Sequence, residues 1–178
     1  MTKEELIKEI NEIGHISEAA FYGSGKIPPI FTILNADGKR GIFQLLESQM
    51  ANRRLALRHI GNHLLKGGYR ADAIIFASEA WMVKKSNQEY EQLKKEGKEI
   101  IPSEDPRREE KFIISGLTYS GSAHNLVYNI VNKDNRRLIK LDSESTAEMN
   151  DAAPNLNSLL NEFFQGVYEG VAGKLYQD

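Results

Sequence analysis

The chain has 178 residues, with 23 Lys+Arg against 25 Asp+Glu and a formal net charge of −2. A chain of about 150 residues buries roughly 68–70% of its unfolded surface, so one self-standing core is feasible, and 40% hydrophobic with 27% charged residues excludes a wholly disordered chain. The near-neutral balance removes the simplest mark of a nucleic-acid binder, and the lack of cysteine excludes disulfides, thiolate metal sites and a thiol nucleophile.

Met1-Thr2-Lys3-Glu4-Glu5-Leu6 is charged where a secretory signal needs an apolar run, and no stretch reaches the roughly 18 apolar residues of a membrane span. The expectation is a cytoplasmic protein with no membrane partner. Thr2 and Glu5 have capping-box spacing, and Leu6, Ile10, Ile13 and Ala20 fall near one face. That pattern predicts a helix to about Phe21, irregular at Gly14, ended by Gly23 and barred from continuing by Pro28-Pro29. Gly23-Ser24-Gly25-Lys26 is similar to the end of a phosphate-binding loop. Ile27 stands where that loop needs Ser or Thr, however, so the segment reads as a helix-ending turn.

Residues 30–34 read as a strand, and Asn35-Ala36-Asp37-Gly38 as a tight turn returning residues 41–45 antiparallel. Ser48 is the expected cap of a middle helix carrying Met50, Leu57, Ile60 and Leu64 and ending at Gly67-Gly68. Residues 73–83 are the strongest strand signal, largely apolar on both sides of the period of two, which suits a central strand. A charged surface excursion follows at about 84–110. Its helix is predicted between Ser86, with Glu89 in capping-box spacing, and Gly97, and the excursion reaches Ile100-Ile101-Pro102. Residues 112–119, 125–131 and 137–142 then form a meander through turns at Ser120-Gly121-Ser122 and Lys133-Asp134-Asn135. A polar stretch from Ser143 to Asp151 leads to a last helix with Leu156, Leu160, Phe163, Val167 and Val171 in helical spacing. The fold class is α+β: a single domain over 1–178, mainly an antiparallel sheet of about five or six strands. N-terminal, middle and C-terminal helices pack on it.

Most chemical-looking motifs reduce to structure. His59 and His63 stand four apart on the middle helix and are the weak metal candidates. Ile60-Gly61-Asn62 between them lacks the glutamate of a zinc hydrolase, so no metal or other cofactor is expected. Ser120, Ser122 and His124 lack nucleophile-elbow spacing, and the serines read as turn residues. Gly166, Gly170 and Gly173 each cost about 1 kcal/mol of helix propensity. They imply either fraying or close contact with a second helix, of this subunit or of another, which is the hint of a homo-oligomer through the C-terminal helix.

Glu79 is the distinctive residue, a carboxylate among Ile75, Ala77, Trp81 and Val83 on its side of the strand. An ionised group there needs a partner. The expected partners are Arg107 and Arg108, whose guanidinium could form two parallel hydrogen bonds, with Glu104 and Asp105 bracketing it and Trp81 excluding water. The plainer reading is a half-exposed glutamate near a sheet edge. Ser78-Glu79-Ala80-Trp81 followed by Pro102-Ser103-Glu104-Asp105-Pro106 and Arg107-Arg108-Glu109 resembles a pattern in small uncharacterised bacterial and phage-associated proteins. That family has no assigned activity, so the resemblance implies recurrence of the pattern and no chemistry.

The leading functional reading is a soluble cytosolic binding or interaction protein with a Glu–Arg ion-pair site, linked to mobile elements. The alternative is a small enzyme using Glu79 as acid or base, with Arg107 or Arg108 orienting an anionic substrate. A third reading, a nucleic-acid accessory protein using Arg53, Arg54 and Arg58, is disfavoured by the overall charge.

Overall fold

The computed structural model describes residues 1–83, 86–97, 104–148 and 156–175. Helix α1 (Lys3–Ser24) starts on the capping box: the Glu5 N–H donates to the Thr2 hydroxyl, and the Thr2 N–H to the Glu5 carboxylate. It runs unbroken past Gly14 to Gly25, whose φ of 71° makes it the left-handed cap. Gly14 is a contact site: it is buried, and a Cβ there would overlap the Tyr128 hydroxyl. Burial pushes the Tyr128 pKa up to about 12.

Strands β1 (Ile30–Asn35) and β2 (Arg40–Phe43) form the expected hairpin; Asn35 Oδ1 accepts from the N–H groups of Asp37 and Lys39. The middle helix is divided. Met50 belongs to a short helix α2 (Glu47–Met50), and α3 (Arg53–Lys66) carries Leu57, Ile60 and Leu64. Ser48 is not the cap, because α2 starts from Leu46, whose N–H donates to Gln49 Oε1. Strand β3 (Ala71–Met82) precedes α4 (Asn87–Lys95), and β4 (Glu109–Thr118), β5 (Ser122–Lys133) and β6 (Arg136–Glu148) make the meander. The β5–β6 turn places Asp134 and Asn135 at φ 51° and 59°, the two positive values of a type I′ hairpin. The last helix is α5 (Leu156–Leu175). Expected features at Lys84, Ile100–Ser103 and Asp151 lie outside the described residues.

The six strands are antiparallel in the order β2-β1-β3-β4-β5-β6, and the class is α+β. Alternation on β3 sends Ala73, Ile75 and Ala77 toward α1 and Ile74 toward α3 and α5, so the central strand has a core on each side. Leu6, Ile10 and Phe21 of α1 meet Phe112, Ile114 and Leu126 on one face. On the other, Leu57 of α3 and Leu160, Phe163 and Val167 of α5 meet Phe31, Ile33 and Leu117.

Gly166 and Gly170 of α5 answer to α3 of the same chain. A Cβ at Gly166 would overlap the Arg58 carbonyl oxygen, one at Gly61 the Phe163 carbonyl oxygen, and one at Gly170 would lie 3.2 Å from Leu65. The helix does not fray after Val167, and Gly166 and Gly170 pack against α3. Gly166→Ala should therefore lower the unfolding free energy by about 1–3 kcal/mol through overpacking, despite better helix propensity. Gly23→Ala in α1, where a Cβ meets nothing within 4 Å, should raise it by up to about 1 kcal/mol. Urea unfolding of both variants checks the opposite signs.

Candidate functional site

Glu79 shares the α1 face of β3 with Ile75 and Ala77. Its partner is Arg137 of β6, with Arg137 Nη1 2.8 Å from Glu79 Oε2. Glu79 Oε1 accepts the Ile27 N–H at 3.3 Å, so both carboxylate oxygens are engaged. The other arm of the guanidinium contacts Glu110 of β4, Nη1 also donates to the Gly25 carbonyl, and the group lies 6.0 Å from the Phe21 ring. One cation thus joins β3, β4, β6 and the carboxyl end of α1, where the helix dipole favours positive charge. The Glu79 and Arg137 side chains are only 23% and 27% exposed, which weakens solvent screening.

Arg107 and Arg108 are not the partners. The register sets Glu79 opposite Phe112 and Met82 opposite Glu109. Arg108 therefore lies four residues from the Glu79 level, about 13 Å along the strand. Arg107 pairs with Glu89 of α4 at 2.8 Å and with Asp105 at 3.4 Å. The Ser86 N–H and then Arg107 hold the Glu89 carboxyl down to about 2. Arg108 stacks on Trp81, 5.0 Å from the ring centre, and Trp81 is 43% exposed. Glu104 is exposed, and Asp105 caps the turn by accepting the Arg107 N–H. The expected constellation is thus two: Glu79 in an interior clamp, and Trp81, Asp105, Arg107 and Arg108 in an outer latch on the excursion.

Other candidates also find structural partners. Arg54 and Arg58 form ion pairs with Glu162, and Arg58 with Glu169, so two of the three arginines proposed for nucleic acid pin α3 to α5. His59 and His63 are exposed beside Ser48, Gln49 and Asn52, and no group of three metal-capable side chains occurs among the described residues.

Two buried ionisable groups lacked a sequence signal. Lys111 has a side chain 4% exposed, between Glu109, Asp142 and Asn129. Burial opposes its charge, but these partners win and its pKa is raised. His124 is fully buried under the first turns of α1; Nδ1 is 3.0 Å from the Thr146 hydroxyl. Its Nε2 is 3.4 Å from Glu144, within ion-pair range but without hydrogen-bond alignment.

Next to the clamp lies a groove. One helix about 10–12 Å across cannot cover six strands spaced roughly 4.8 Å apart. Helix α1 lies over β4, β5 and β6. The margin toward β1 and β2 stays open as a cavity of about 400 Å³, lined by Ile13, Ile16, Ile27, Pro28, Ile30 and Ile42 among others. Ile16 is 58% and Ile42 71% exposed. Arg40 bridges the groove, binding Glu9 at 2.8 Å and Glu12 at 3.0 Å, and Lys26 stands at its mouth. Glu79 does not line it. Its role is to hold Ile27, which does.

Arg137→Ala leaves two carboxylates without their cation and should cost about 1.5–3 kcal/mol in urea unfolding. Arg108→Ala, losing an exposed stacking contact, should cost less than about 1 kcal/mol; equal losses would remove the clamp's special status. Burial of His124 depresses its pKa, with Lys3 acting in the same direction and Glu144 opposing. The unfolded chain then binds the proton more readily, so stability is complete above the ordinary histidine value near 6.5 and falls as pH drops through it. Melting temperatures at about pH 7 and about pH 5 should show a drop that His124→Gln reduces.

Comparison with protein-family models, with curated proteins and with solved structures finds no match to this chain.

Proposed function

We propose that the protein is a cytosolic binding module whose apolar groove, between α1 and the β1–β2 hairpin, receives a small apolar ligand. The observation that carries this reading is the uncovered strip itself: isoleucines line a concave cavity of about 400 Å³, within the 300–1,000 Å³ range usual for ligand sites. The Glu79–Arg137–Glu110 clamp is its support, because Glu79 holds the N–H of Ile27 and Arg137 the carbonyl of Gly25, both in the loop that forms one wall.

The clamp also argues against Glu79 as a general acid or base. Such a group must reach the proton it moves, and both oxygens of Glu79 are occupied outside the groove. No helix among the described residues is long and apolar enough to cross a membrane.

Titration with 1-anilinonaphthalene-8-sulfonate tests the reading, since the dye fluoresces in apolar cavities and its sulfonate suits Lys26 at the mouth. One saturable site is expected, weakened about tenfold or more by Ile42→Glu with an unchanged circular dichroism spectrum. No saturable binding, or binding unaffected by Ile42→Glu, would overturn the proposal.

A further inference from the structure

The lining of the groove is not wholly apolar. Ser17 of α1 and Thr32 of β1 face it, and they are only 4% and 8% exposed. Neither hydroxyl has a hydrogen-bond partner among the described residues. Neither oxygen is sealed from the surface either, unlike the partnerless Ser115 Oγ and Asn125 Oδ1 of the other face, so both open on the cavity. A third lining hydroxyl, that of Ser24, is already engaged with the Ala20 and Lys26 carbonyls. Thr32 stands between Ile42 of β2 and Ile75 of β3 in the strand registers, which places it on the floor. Ser17 lies one helical turn from Ile13 on the wall. An unpaired hydroxyl weakens an apolar surface that alanine or valine would complete at no such cost.

We propose that Ser17 and Thr32 hold the head group of the groove's ligand, and that this ligand is an uncharged, oxygen-bearing hydrocarbon, an alcohol or a ketone. The inference rests on the groove being the ligand site and adds the chemistry of what it takes. A hydroxyl both donates and accepts, so the pair suits either head group, while the isoleucines take the hydrocarbon. The charges around the cavity exclude an ionised head on these hydroxyls. Among the described residues the lining holds no carboxylate, so an ammonium would be unpaired there. Of the two lining cations, Arg40 is committed to Glu9 and Glu12, and Lys26 is exposed at the mouth. A carboxylate beside Ser17 and Thr32 would be a desolvated ion without a counter-charge. An anionic ligand would lie the other way round, with its charge at Lys26.

Displacement of the anilinonaphthalene sulfonate dye by octanol and by octanoate tests this in the full chain, with Ser17→Ala and Thr32→Val as variants. Octanol should displace the dye from the wild type at one site. Each substitution should weaken octanol about three- to tenfold, the effect of one neutral hydrogen bond. Octanoate, with its charge at the mouth, and the dye itself should each change less than about twofold. Melting temperatures of the unliganded variants should not fall, because the folded chain loses no hydrogen bond. Unchanged octanol affinity in both variants, or equal losses for octanol and octanoate, overturns the head-group assignment and leaves the groove standing as a site. Lowered melting temperatures in both variants would assign the hydroxyls to the fold and overturn it as well. Absence of a saturable dye site removes the groove itself, and this inference with it.

Discussion

The face of the sheet toward α1 has one helix to bury a width that the opposite face covers with two. On the two-helix side, α3 and α5 must share the space over β1, β3 and β4, and they meet through Gly61 and Gly166 because a side chain at either would occupy the other helix's backbone. On the one-helix side the helix must be pinned, since it has no neighbour to set its angle. Arg40 pins its flank through Glu9 and Glu12, and Arg137 pins the turn that ends it. The groove is the remainder of this geometry, apolar because β1 and β2 alternate as any sheet strand does and nothing covers them there.

The clamp solves a second difficulty on that face. Two carboxylates, on neighbouring strands, stand near the end of a helix whose carbonyls are also acceptors, so the locus is rich in negative charge and poor in donors. A planar guanidinium with several N–H groups can serve Glu79, Glu110 and the Gly25 carbonyl together, where an ammonium would serve them as a point charge. The long aliphatic stem of Arg137 lets a residue of β6 reach β3 across the intervening strands.

What was legible in the sequence was local. Capping-box spacing, the positive-φ turns, the doubly apolar β3 and the helical stripe of α5 each carry their physics within a few residues, and each appears in the fold. That Glu79 needs an arginine was legible on the same basis, from desolvation. Which arginine was not, because the choice depends on registers accumulated over three strand pairings. Arg107 and Arg108 are close in sequence, but Arg137 is close in space. A partial signal existed in Glu110, two residues before Phe112 and so on the same face, which called for a cation shared between two carboxylates. The extent of β6 was missed for a related reason: Ser143, Glu144 and Ser145 are poor strand formers, and pairing along β5 overrides that preference.

The sheet also changes character across its width, and this links the core to the exposed edge. On the α3–α5 face, Phe31, Phe76 and Ile74 lie at the β1–β3 side, whereas on β4 and β5 the buried Ile113, Leu117 and Ala123 are interspersed with Lys111, Ser115, Asn125 and Asn129. Leu117 and Ala123 are apolar where α5 covers them, because a side chain gains from being apolar only when something removes it from water. Ser115 and Asn125 nonetheless lie buried, with Ser115 Oγ and Asn125 Oδ1 lacking a hydrogen-bond partner, and Lys111 is buried among its counter-charges. Beyond them β6 is exposed from Lys140 to Thr146 and polar there except at Leu141. The apolar margin at β2 and the polar margin at β6 therefore have one origin, the placement of three long helices over six strands. That placement leaves an apolar strip open at one margin and exposed, mostly polar side chains at the other.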